Sequence, residues 1–259
     1  MITERSRERL SELVEQHHLD ITQHQQLGAL LRALAGDEHA PTSAREPDLA
    51  VDVHLADSLS LLELDLPPDI AQVIDIGSGA GFPGLPIAIA RTAWTVGLLE
   101  SQARKCAFID RTVQLADVGN ARAIRKRAEE WTELAGQDLV LARALASQPV
   151  VLEYAAPLLG VGGMLVDWRG RRDPMEEKDA AEAAEVLGLR LHTIQSTKPF
   201  DTVLHRHLHV YRKIRETPER FPRRAGMALK RPLGSGSKRA NEQKSAVSIR
   251  HTTSVGDRR

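Results

Sequence analysis

The stretch VIDIGSGAGFPG, Val73 to Gly84, decides the fold. A run of apolar residues holding one acid breaks into four glycines and a proline. Ordered glycine costs backbone entropy, so such a cluster needs a reason, and close approach of a ligand to the backbone supplies one. The preceding run QVIDIG (72–77) reads as a buried strand, and a helix is predicted over 83–91, with Pro83 suited to its first turn. Strand, glycine turn and helix in that order form the setting in which a glycine motif binds something.

Two ligand classes fit the turn. GAGFPG, Gly79 to Gly84, satisfies G-x-G-x-x-G, the dinucleotide fingerprint, and Glu100 ends the next predicted strand, where an acid would hold ribose hydroxyls. The other parse is D-x-G-x-G-x-G, with Asp75, Gly77, Gly79 and Gly81, which resembles the S-adenosylmethionine loop of Rossmann-like methyltransferases. Both need Glu100. Asp75 favours the second parse, because dinucleotide enzymes keep an apolar residue there and adenosylmethionine offers an ammonium group to an acid. A chain of 259 residues also lacks room for the separate substrate domain of many dehydrogenases.

Outward from the turn, short apolar runs alternate with amphipathic helices. Strands are predicted at 94–100, 121–126, 138–143 and 162–170, and two closing strands at 190–196 and 202–213. Helices are predicted at 101–116, 148–159 and 174–187. This alternation implies a doubly wound, mostly parallel sheet. Before it, helical spacing of Leu and Ile covers 4–19, 23–35 and 48–64, and the pair Pro67–Pro68 stops the last. The division expected is an N-terminal helical segment (1–68), a core (69–213) and a basic, largely disordered tail (214–259).

Charge is divided in the same way. Residues 212–259 carry 14 Lys and Arg against 4 Asp and Glu, a net of +10, while 1–211 carry 21 against 31, a net of −10. A basic tail on an acidic body points to a polyanion, with nucleic acid the first candidate. No apolar run nears the roughly 20 residues of a membrane span, and the charged start MITERSRERL has no apolar signal core. A single cysteine, Cys106, excludes an intramolecular disulfide and suits a reducing cytoplasm. His205, His207 and His209 alternate on the last predicted strand, but their spacing is unlike a zinc site and a solvated face is expected, with no metal.

The segment DIGSGAGFPGLPIAIAR resembles the signature of the bacterial 16S ribosomal RNA guanine-N7 methyltransferases, the glucose-inhibited division protein B family. LLESQARKCAFI, RAEE (127–130) and ARALA (142–146) follow at that family's spacing. TSAREPDLAVDVHLADSL upstream, with His54, Asp57 and Ser58, and TPERFPRRAGMALKRPLG downstream resemble its flanking segments. The resemblance implies an α/β, Rossmann-like class I fold: a seven-stranded, mostly parallel sheet with an N-terminal helical extension. It implies cofactor contacts at Gly77, Phe82, Ala128, Glu129 and Arg143, with Glu100 on the ribose and Arg143 also on the catalytic side. It further implies methyl transfer to N7 of the guanine conventionally numbered 527, in 16S ribosomal RNA of the small subunit, by a cytoplasmic monomer. Guanine N7 has a lone pair and no proton, so positioning suffices and no general base is needed. Replacing Arg143 by alanine is expected to remove activity and spare folding. A methyltransferase of another substrate, a dehydrogenase and a non-catalytic RNA-binding module are the alternatives.

Overall fold

The computed structural model describes residues 2–130 and 135–234. Its centre is a seven-stranded sheet of β1 (Gln72–Ile76), β2 (Thr95–Leu99), β3 (Ala121–Ile124), β4 (Gln137–Arg143), β5 (Leu159–Arg169), β6 (Leu189–Ser196) and β7 (His207–Lys213). The spatial order is β3-β2-β1-β4-β5-β7-β6, and β7 is antiparallel to both neighbours. A dinucleotide-binding sheet runs parallel in the order 3-2-1-4-5-6. The reversed β7 inserted beside β5 therefore departs from that plan.

The central strands are nearly continuous apolar runs because helices cover both faces. Successive residues point to opposite faces, and the core divides accordingly. Val73, Leu139, Leu141 and Val166 join one cluster, while Ile74, Val140, Ala142 and Leu165 join the other. The first cluster is capped by α5 (Gly84–Ala90), α6 (Ala103–Leu115) and the N-terminal helices α1 (Glu4–Gln16) and α2 (Ile21–Gly36). Thr3 caps α1 and Asp20 forms a capping box with Gln23 on α2. Because Leu10, Leu27, Leu31 and Leu59 share this cluster with the strands, the N-terminal segment and the core are one packed body. The second cluster is covered by α7 (Gln148–Ala155) and α8 (Pro174–Leu187).

The helix expected over 48–64 is composite. α3 (Pro47–Ala50) widens into a π-helical turn (Val51–Ala56), then returns through α4 (Asp57–Leu59) to a 3-10 turn (Ser60–Glu63). Such π turns shift the side-chain phase and recur at functional sites.

Three expectations change. The helix expected to 159 ends at Ala155, and β5 begins at Leu159. β7 starts at His207, so His205 lies outside the strand, and His209 is buried with its Nδ1 2.7 Å from Gln148 Nε2, not on a solvated face. The tail assigned to 214–259 is described to residue 234, and that part packs on the body through Phe221, Ala228 and Leu233, with α9 at Met227–Lys230. Its charged composition hid these few apolar anchors. Residues 235–259 lie outside the described residues.

Candidate active site

The glycine turn leaves β1 at the carboxyl edge of the sheet, where open α/β folds bind ligands. Gly77 and Ser78 donate their N–H groups to Leu99 O at the end of β2, at 2.8 and 3.2 Å. Gly77, Gly79 and Gly81 have φ of +72°, +60° and +94°, a region costly for side chains. Space adds a second demand at two of them. A Cβ on Gly77 would come within 2.5 Å of Leu145 Cδ1, and one on Gly81 within 2.5 Å of Leu85 Cδ1.

Asp75 lies beneath the turn, fully buried. Its Oδ2 accepts from Gly84 N at 3.0 Å and so fixes the start of α5, while Oδ1 has no hydrogen-bond partner among the described residues. Burial pushes the Asp75 carboxyl up to about 6, against the lowering effect of the Gly84 N–H. A folded pKa above the unfolded 3.8 gives a stability contribution complete below that value and lost as pH rises through about 6. Asp75→Asn should therefore flatten the fall in unfolding free energy between pH 4.5 and 6.5, measured as the difference from the unmodified chain in urea titrations. The difference matters because His54, depressed to about 4 by burial and by Arg143, contributes in the opposite sense: its share is lost as pH falls towards 4.

Glu100 directly follows β2, with 5% exposure. Its Oε2 accepts from Gly79 N at 3.2 Å, its Oε1 from Gln102 N at 2.9 Å, and Lys105 Nζ lies 3.6 Å away. The carboxylate thus braces the glycine turn and keeps acceptor capacity for a diol. Ala128 and Glu129 form a 3-10 turn past β3. Gly77, Glu100, Ala128 and Glu129 line one cleft of about 320 Å³, the lower end of the range for small-ligand sites.

Sequence reasoning missed the other walls of this cleft. Tyr154 comes from α7, Leu145 from the loop after β4, and Leu229 from α9. Ala144, beside Leu145, holds φ at +53° without being glycine, a strain of order 1 kcal/mol that clusters at functional sites. Tyr154, one of two tyrosines on a chain with nine aromatics, is the one legible signal among them.

Asp75, Gly79, Gly81, Phe82 and Arg143 are not among the residues lining that cleft. Arg143 ends β4, and its guanidinium turns to the composite helix: Nη1 donates to Asp57 Oδ2 at 2.9 Å and to Val53 O at 3.1 Å. Asp57, 1% exposed, also has Arg206 Nε 2.7 Å from Oδ1, an ion pair without hydrogen-bond alignment. Arg143 Nη2 lies 3.4 Å from His54 Nδ1. A guanidinium only donates, so Nδ1 accepts and the His54 proton sits on Nε2, directed at Thr42 Oγ1, 2.9 Å away. The His54 ring stacks on Phe82, centroids 4.4 Å apart. Asp57, His54 and Phe82 thus join the N-terminal segment, Arg143 and the glycine turn. Cys106 is buried and its thiol donates to Glu100 O, a structural place.

No group of three metal-ligating side chains occurs among the described residues, and no described helix is long and apolar enough to cross a membrane. The cleft fits an adenosyl ligand on its own chemistry. It offers an acid beside the turn and apolar walls at Leu145, Tyr154 and Leu229.

The family model of GidB, rRNA small subunit methyltransferase G, matches residues 20–198. The Ribosomal RNA small subunit methyltransferase G of Syntrophomonas wolfei is 39% identical over 199 residues, covering 75% of this chain and 92% of that relative. The one from Rubrobacter xylanophilus is 37% identical over 212 residues, covering 78% and 81%. The solved structure of StiE O-MT residues 961–1257 superposes with a TM-score of 0.50 at 12% identity, over 61% of this chain and 73% of that one, and shows likeness of fold alone. Sheet order, glycine turn and matched sequence agree: the fold is that of class I S-adenosylmethionine-dependent methyltransferases, and the chain belongs to the GidB family, rRNA small subunit methyltransferase G.

Proposed function

We propose that this chain transfers a methyl group from S-adenosylmethionine to N7 of guanine 527 in 16S ribosomal RNA of the small subunit, acting as a cytoplasmic monomer. The observation that carries the reading is the cleft itself: Gly77, Glu100 and the Ala128–Glu129 turn meet at the carboxyl edge of a sheet with a reversed β7, in a chain of this family. The target position and atom rest on the resemblance of GFPG, ARAL and the basic C-terminal segment to the guanine-N7 enzymes.

When bound, the cofactor supplies a methyl group on a sulfonium, activated for in-line displacement. The chain's part is to bind and align. Glu100 takes the ribose hydroxyls, the Ala128–Glu129 backbone reads the adenine edge, and Gly77, Gly79 and Gly81 let the loop approach. Buried Asp75, with no hydrogen-bond partner for Oδ1 among the described residues, provides negative charge below the loop for the ammonium group. Arg143, fixed by Asp57 and backed by His54 and Phe82, supplies positive charge for the methionine carboxylate. Lys105, Lys126 and Arg127 rim the cleft and suit an approaching phosphate backbone. RNA affinity should accordingly fall with salt.

The test incubates the pure protein and adenosylmethionine with small-subunit RNA or particles from cells lacking their own enzyme. N7-methylguanine is then mapped by reduction and strand cleavage. Cofactor-dependent cleavage at guanine 527 is the expected result. Cleavage at another guanine would move the target, and none in any particle form, with cofactor bound, would overturn the substrate.

A further inference from the structure

We propose that residues 217–234 form a strap that completes the cofactor cleft, with Leu229 as one wall and the Gly226–Glu129 hydrogen bond as its latch. The proposal rests on the reading that this cleft takes S-adenosylmethionine.

Four observations carry it. The strap is anchored to the body: Phe221 and Ala228 are buried in the cluster under α7, and Leu233 packs against it. Its main tether is ionic. Glu153 on α7 is 1% exposed, and Arg223 binds both of its carboxylate oxygens, Nε at 2.7 Å from Oε1. A buried acid is costly unless paired, so the face of α7 beneath the strap is built to receive it.

The strap also reaches the cleft. Gly226 N donates to Glu129 Oε1 at 3.0 Å, and Tyr154 lines the cleft together with Glu129. Glu129 follows Ala128 in the 3-10 turn assigned to the adenine edge, so the latch holds that turn in place. Gly226 can do this because its φ of +76° starts α9 from the left-handed region.

Leu229 gives the fourth observation. It lines the cleft with Tyr154 and Leu145, yet is 59% exposed. An aliphatic side chain on α9 with little protein around it, facing a cleft floored by a tyrosine, needs an apolar partner. The flat face of an adenine ring is the partner this cleft would bring. Leu229 is a positioning and binding residue in this scheme, and its exposure makes it dispensable for folding.

The experiment uses the full chain. Adenosylmethionine binding is measured by calorimetry for the unmodified protein, Leu229→Ala and Leu229→Met, and tryptic cleavage after Arg224 and Lys230 is followed with and without cofactor. Leu229→Ala should bind about tenfold more weakly with an unchanged unfolding midpoint. Leu229→Met should recover most of the affinity. Cofactor should slow cleavage in the strap several-fold while leaving cleavage in α1 unchanged. If the unmodified chain binds cofactor and either Leu229→Ala keeps its affinity or strap cleavage is indifferent to cofactor, the strap is a packing element only. If the unmodified chain binds no cofactor, the reading of the cleft fails first and the proposal falls with it.

Discussion

Arg143→Ala should lower the free energy of unfolding by about 3 kcal/mol and reduce methyl transfer by roughly a hundredfold or more. The stability loss comes from Asp57. Its carboxylate is 1% exposed and holds two arginines, Arg143 on Oδ2 and Arg206 on Oδ1. Removing Arg143 leaves half of that buried charge unpaired, and Arg206, 21% exposed, compensates only in part. Breaking one side of a buried pair is far more damaging than removing the whole pair. The double variant Arg143→Ala, Asp57→Asn should therefore regain much of the lost stability while methyl transfer stays low, which denaturant titration and a ribosomal RNA methylation assay would read separately. The expectation that folding would be spared is thereby revised. An unchanged unfolding midpoint in the single variant would show that Asp57 does not depend on Arg143. Full methylation by the folded single variant would remove Arg143 from the site.

That revision marks what the sequence could and could not show. β1, β2 and β4, with their buried runs of Val, Ile and Leu, were legible to within a residue or two, because a strand covered on both faces has a local signature. The glycine turn and Glu100 were legible for the same reason: their spacing is set within 30 residues. The partner of Arg143 was not. Asp57 is 86 positions earlier, on a helix whose π turn changes the phase of its side chains, and helical periodicity predicts no such shift. The strap was hidden differently. Its composition is that of a solvated tail, and the residues that tie it down, among them Phe221, Arg223, Gly226, Ala228 and Leu233, are scattered singly along it. An ion pair such as Arg223 with Glu153, 70 positions apart, leaves no trace in either segment. His209 was misread because alternation on a strand gives the face and not what covers it. Here Gln148 of α7 covers it.

Two glycines of the same turn should fail in opposite ways. Gly84→Ala should lower the melting temperature by roughly 10 °C. A Cβ there would lie 2.2 Å from Leu98 Cδ2, 2.9 Å from Asp75 Oδ2 and 3.0 Å from Asp75 Cβ. Leu98 could rotate, but the Asp75 Cβ is fixed by its strand, so β1 and the start of α5 must separate. That overpacking costs up to about 3 kcal/mol, and it pulls the Gly84 N–H from the Asp75 carboxylate. Gly79 faces the other condition. A Cβ there would meet nothing nearer than Gly77 O at 3.9 Å, so its one local demand is a φ of +60°. Asparagine tolerates that region better than other side chains. Gly79→Asn should therefore melt within a few degrees of the unmodified protein, yet bind adenosylmethionine at least tenfold more weakly, because its side chain would enter the space left open beside the loop. Calorimetry and thermal melts on the two variants distinguish the roles. A Gly79→Asn protein that binds cofactor normally would show that the turn is glycine-rich for folding alone, and the ligand would then have to be sought away from the loop.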